Sequence, residues 1–218
     1  MELQNEEKLD GLQHRLDSEL MVGMKSAVSL AMEKEYQRLM EQKEGRDIQH
    51  VFLTGMAFLY GYGMEQNISH GEELVQIAAE AGLPEAMEAL GMLYDSGELT
   101  DRDYRKAAGW WDKLTNYWED KFGEEYGEEE GVKVVRASRR AGEDWLQVDE
   151  YFDAKMSYYS MNTAALILYL VHSGERHHKE LEESNINMGN MCKVEGKEED
   201  AKIWYRSAQN LREDYDGQ

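Results

Sequence analysis

This chain reads as all-α, a solenoid of antiparallel helix pairs preceded by an N-terminal helical cap. Residues 82–111 form a helix–turn–helix pattern that recurs one period earlier and again near the C-terminus. The composition agrees: 41% of the 218 residues are hydrophobic and only one is proline, which suits a mostly helical, elongated body. Self-similarity at a fixed period is the signature of stacked supersecondary units, each burying its apolar face against the next.

The unit is clearest from Pro84 onward. Proline suits the first turn of a helix, where its missing N–H is not needed. Ala86, Ala89, Leu90 and Leu93 follow at helical spacing, so one face is apolar. Gly97 can take the left-handed conformation that ends a helix, and Asp101 or Asp103 offers a side-chain cap for the next. Leu59-Tyr60-Gly61-Tyr62-Gly63 then aligns with Leu93-Tyr94-Asp95-Ser96-Gly97, a period of about 34 residues. The second helices, with His70-Gly71 on Lys106-Ala107 and Leu74 on Trp110, align at a spacing two residues longer. That difference is assigned to the loop, where insertions cost least.

Ala86, Leu90-Gly91, Leu93-Tyr94 and Gly97, followed by Lys106-Ala107 and Trp110-Trp111, resemble the Sel-one-like repeat of the tetratricopeptide-like superfamily. Ala78-Ala79-Glu80-Ala81-Gly82 resembles the end of such a repeat, and Gly196 to Ala208 resembles the turn and second helix of an ordinary tetratricopeptide repeat. The resemblance implies a right-handed superhelix and a protein-binding role without catalysis. It also implies that Trp110, Trp111, Trp204 and Tyr205 pack between helices.

Four regions are expected. Residues 1–47 form a helical extension: Leu9, Leu12, Leu16 and Leu20, then Met21, Met24, Val28 and Met32, make apolar stripes, and Gly23 and Gly45 are the candidate breaks. A cap over the end of the solenoid is the simpler reading; an adaptable methionine face that assembles a complex is the alternative. Residues 48–118 hold two Sel-one-like repeats. Residues 119–160 break the pattern as an irregular acidic loop and helices, with seven acidic residues between Glu119 and Glu130. They continue into a basic cluster, Lys133, Arg136, Arg139 and Arg140, and an aromatic-rich helix from Trp145 to Tyr159. The basic cluster either pairs with neighbouring acidic helices or forms a local anion site. Residues 161–218 hold a degenerate repeat, placed by aligning Ser173-Gly174 with Ser96-Gly97, and the tetratricopeptide-like repeat.

With 45 acidic against 24 basic residues the net charge is −21. Such a surface serves solubility, or steers a basic partner while repelling nucleic acid and anionic membranes. No direct nucleic-acid binding and no membrane span are expected. Cys192 is the only cysteine, which favours a reducing compartment; with an acidic N-terminus lacking a signal-peptide pattern, a cytoplasmic location is expected.

Catalytic patterns are missing. There is no Gly-x-Ser-x-Gly, phosphate loop or His-Glu-x-x-His, and Gly61-Tyr62-Gly63 is accounted for by the repeat turn. His172, His177 and His178 lie close in sequence but lack the companions of a zinc site. No cofactor or metal is expected, and Cys192 reads as a small core residue. An enzyme hidden in the middle region remains a third reading.

Binding residues should come from the first-helix face lining the concave side of the solenoid. On the clearest repeat these are Glu85, Glu88, Met92 and Asp95. Equivalent positions are Val51, Thr54, Phe58 and Gly61 before it. Further on they are Asn162, Ala165, Tyr169 and His172, then Ser184, Asn187, Met191 and Val194. Acidic, amide and apolar groups together suit a segment carrying Lys or Arg. The expected function is capture of a basic protein segment, such as neutralisation of an effector or toxin; an adaptor working through the N-terminal helices is the alternative.

Overall fold

The computed structural model describes residues 48–172 and 174–216. The expected N-terminal cap, and the adaptor surface assigned to it, lie outside them. Among the described residues there are eight helices and no strand: α1 Ile48–Tyr60, α2 Ile68–Glu80, α3 Pro84–Ser96, α4 Tyr104–Glu125, α5 Glu128–Gln147, α6 Tyr151–Val171, α7 Gly174–Val194 and α8 Glu198–Asp216. The chain divides into two compact units, Met1–Ala78 and Ala79–Gln218, with the boundary inside α2.

In the first unit α1 and α2 pack through glycines. A Cβ on Gly71 would lie 2.7 Å from the Leu59 backbone nitrogen, and one on Gly55 2.8 Å from Val75. Gly61 turns the chain with φ 72°. Asn67 then caps α2, its Oδ1 accepting from the His70 N–H at 3.1 Å.

The second unit repeats this arrangement. Pro84 opens α3, Gly97 closes it with φ 66°, and Asp103 caps α4 by accepting from the Lys106 N–H at 3.0 Å. The same spacing separates Ile48 from Pro84, Ile68 from Tyr104, Gly61 from Gly97 and Asn67 from Asp103. The two-residue loop insertion expected from sequence is therefore absent. Gly61 and Gly63 both have positive φ, and aligning on the second instead of the first shifts the register by two.

From α3 to α8 each helix packs against its neighbours in sequence. A glycine on one helix receives an aromatic ring from the next: an added Cβ would lie 2.6 Å from Trp111 at Gly91, 2.7 Å from Tyr158 at Gly142 and 2.6 Å from Tyr205 at Gly189. These contacts set the pairs as α3 with α4, α5 with α6, and α7 with α8. Between them Phe122, Val134, Met161, Leu168, Leu181 and Met188 form a continuous core.

Two expectations change. The acidic stretch from Glu119 is not an irregular loop: α4 runs to Glu125, Tyr126 ends it in the left-handed conformation, and Glu128, Glu129 and Glu130 form the first turn of α5. Carboxylates are favourable there because they face the positive end of the helix dipole. In addition, Tyr151–Val171 is the second helix of its pair, not the first. The true first helix, α5, buries mainly small residues, among them Ala137, Ser138, Ala141 and Gly142, and so lacks a bulky apolar stripe in sequence.

Candidate partner-binding face

The face is built on alternate helices. On α3, Glu85 and Met92 are exposed and Glu88 and Asp95 are half-buried, with Ala86, Leu90 and Leu93 turned into the core. Asp95 Oδ2 lies 3.6 Å from the Arg140 guanidinium of α5, and Arg139 of α5 lies 2.8 Å from Glu183 of α7. These two ion pairs place α3, α5 and α7 side by side along one row.

Registered on Gly91, Gly142 and Gly189, the positions of Glu85, Glu88, Met92 and Asp95 correspond to Arg136, Arg139, Glu143 and Leu146 on α5. On α7 they correspond to Glu183, Ile186, Asn190 and Lys193. The residues expected on α7 are displaced by one position, which rotates them about 100° toward the core. Met191 is 2% exposed and belongs to the core. Asn187 is half-buried with its amide 3.7 Å from the Met161 sulfur.

The residues expected on α6 are not part of the row. Asn162 donates to Ser184 Oγ and Asn185 Oδ1, both at 2.9 Å. The Tyr169 and Tyr215 hydroxyls are 3.3 Å apart, and His172 Nε2 donates to the Tyr126 carbonyl at 2.5 Å. All three join α6 to other parts of its own unit. Thr54 and Phe58 belong to the first unit, where the Thr54 hydroxyl donates to the His50 carbonyl at 2.8 Å and the Phe58 ring meets His70 edge-on.

The row is crowded with carboxylates. Asp144 is only 4% exposed, and its Oδ2 is buried without a hydrogen-bond partner. Burial pushes its carboxyl up to about 7; Asp95 and Glu143 add to the rise and Arg140 opposes it. Glu183 is also raised, by burial first, against the pull of Arg139. Arg139 Nε is likewise buried without a hydrogen-bond partner. Sequence reasoning placed Arg139 and Arg140 in the basic cluster but missed their partners on the row and missed Glu143, Asp144 and Glu183; the glycine-to-aromatic pairing was the signal that could have placed them.

The family model for the Sel1 repeat matches residues 52–83 and 84–115. The chain carries two Sel1 repeats. Sel1 repeat proteins are generally protein–protein interaction modules and typically non-enzymatic scaffolds. Among solved structures, the chain is similar to BtubC (BKLC) from P. vanneervenii, at 18% identity over 87% of this chain and 74% of that one, with a TM-score of 0.49. It is also similar to a Sel1 repeat protein from Oxalobacter formigenes, at 16% identity over 85% and 84%, TM-score 0.37. A third is a protective antigen present in uropathogenic Escherichia coli strains displaying an SLR fold, at 18% identity over 80% of this chain and 48% of that one, TM-score 0.33. No curated protein matches the chain.

In the second Sel1 repeat, Trp110 and Trp111 are buried between helices as the resemblance implied. The three histidines diverge: His172 bonds Tyr126, buried His177 bonds Glu128 at 2.9 Å, and His178 stacks on Tyr215. Among the described residues no group of His, Cys, Asp and Glu is placed to hold a metal ion, and no helix is long and apolar enough to cross a membrane. Cys192 is buried. The basic cluster is paired internally at Lys133 with Glu129, at Arg139 with Glu183 and at Arg140 with Asp95.

Proposed function

We propose that the row from Asp95 through Glu143 and Asp144 to Glu183 binds a basic protein segment, with Lys or Arg side chains seated among its carboxylates. The observation that carries this reading is Asp144, whose Oδ2 is buried without a hydrogen-bond partner and whose carboxyl is crowded by Asp95 and Glu143. An added cation relieves that crowding, whereas an added anion worsens it. Apolar contact is available one helical turn from Asp95 at exposed Met92. A basic effector or toxin, neutralised by the contact, is the partner class that suits this charge.

The test is binding of a fluorescent lysine-rich peptide, followed by anisotropy at low and high salt. Replacing Asp95→Asn, Glu143→Gln and Asp144→Asn together should weaken binding roughly tenfold, at about 0.2–1 kcal/mol per partly exposed charge, and flatten its salt dependence. A control chain with Glu98→Gln, Asp101→Asn and Asp120→Asn has the same net charge and should bind like the parent. Equal losses in both chains mean that bulk charge, not the row, attracts the peptide, and the assignment fails.

A further inference from the structure

Asp95, Glu143, Asp144 and Glu183 bring four carboxylates to the row, whereas Arg139 and Arg140 bring two guanidinium groups. Arg139 is taken by Glu183 at 2.8 Å. Arg140 reaches Asp95 at 3.6 Å and Glu143 at 3.9 Å, both beyond hydrogen-bond length, so its charge is divided between them. Asp144 is left over. The Trp111 indole N–H of α4 faces it, yet Trp111 Nε1 and Asp144 Oδ2 are both buried without a hydrogen-bond partner. A carboxyl in that position has to be neutralised by a proton or by a nearby cation.

We infer that Asp144 carries a proton in the free chain and gives it up when a Lys or Arg of the bound segment is seated beside it, so that capture of the segment is proton-coupled. This rests on the row being the binding site. The seat is open to such a cation: the Asp95 and Glu143 side chains are 29% and 48% exposed, while Asp144 is almost wholly buried. A cation held by the first two acts on Asp144 through an interior of low dielectric and favours its charged form. The proton is therefore a placeholder for the partner's charge.

The groups that face Asp144 agree with this assignment. Asp95 on α3 and Glu143 on its own helix favour the proton, and Arg140 opposes it. From α6 comes the Tyr158 hydroxyl, which burial raises further above its ordinary range and keeps neutral. Glu183 of α7 acts on Glu143 and Tyr158. With the Asp144 carboxyl at about 7, about nine-tenths of free chains hold the proton at pH 6 and about one-tenth at pH 8. The segment must displace it at the lower pH and finds it already gone at the higher, so affinity rises by about tenfold across that interval.

Calorimetric titration of the full chain with an acetylated lysine-rich peptide, in two buffers of equal pH but different heats of ionisation, counts the protons released. At pH 7 the parent should release about half a proton per peptide bound, and its affinity should be about tenfold higher at pH 8 than at pH 6. Asp144→Asn has no proton to give, so the release should vanish and the change in affinity should fall below about twofold. Histidines titrate in the same range, but both chains carry them and they cannot produce the difference. A parent that binds without releasing a proton overturns the inference and leaves the row's assignment to its own test. Release that persists in the folded asparagine variant overturns it equally. A peptide that does not bind the parent removes the reading of the row and this inference with it.

Discussion

Asp144→Asn isolates the electrostatic strain of the row. Between the ordinary carboxylate value near 3.8 and about 7, the folded chain holds a proton that the unfolded chain has released, so stability falls as pH rises through that window. Each tenfold difference in proton affinity is worth about 1.4 kcal/mol, which makes the full penalty roughly 4 kcal/mol. Relaxation of the surroundings on ionisation reduces it to about 2 kcal/mol. Asparagine has a similar shape and does not titrate. The variant should therefore gain on the parent by about 1–2 kcal/mol between pH 5 and pH 8, whatever its offset at pH 5. Urea unfolding followed by tryptophan fluorescence measures this for the second unit alone, because Trp110, Trp111, Trp118, Trp145 and Trp204 all lie there. A difference that is flat with pH, or that grows toward acid, refutes the assignment of Asp144 as a buried carboxyl strained by its neighbours.

Three further outcomes are expected from equilibrium unfolding. Gly91→Ala should destabilise by about 1–3 kcal/mol through overpacking against Trp111, while Gly109→Ala, where an added Cβ meets nothing within 4 Å, should stabilise by about 0.5–1 kcal/mol; equal effects would remove the close-contact account. Asp112 accepts from Trp145 Nε1 at 2.7 Å and from Ser157 Oγ at 2.9 Å, tying α4 to α5 and α6. Asp112→Ala leaves the Trp145 N–H without its acceptor, while the Ser157 hydroxyl keeps the Asp153 carbonyl at 3.1 Å, and should cost about 1–3 kcal/mol. Asp103→Ala should cost about 1 kcal/mol by uncapping α4, and the loss should be smaller in a chain that carries Asn at 103.

Local chemistry made the helix pairs legible in the sequence. Pro84, Gly97 and Asp103 mark helix ends by what their own backbone and side chains can do, and the apolar spacing of Ala86, Leu90 and Leu93 marks a face. None of these signals needs a distant residue, and Trp110 and Trp111 could be placed in the core by family pattern alone. The proposed row was legible only on α3. Helix register is an angular quantity, so one position of error on α7 turned Ser184 and Met191 to the solvent side when both are buried, and hid Glu183. On α5 the difficulty was different. Its buried side is mostly small residues that admit Tyr158 and other side chains from neighbouring helices, so the sequence showed it as a basic cluster beside an acidic run and not as the first helix of a pair.

Only tertiary structure brings Asp95, Arg140 and Asp144 together across two helices and Arg139 to Glu183 across the next. Charge along a chain records how many carboxylates there are, whereas their crowding and burial depend on which helices stand side by side. The same holds for α6: its exposed stripe from Phe152 to Leu170 is apolar on paper like any core helix. Packing decides which of its two apolar sides the core takes and which is left in water.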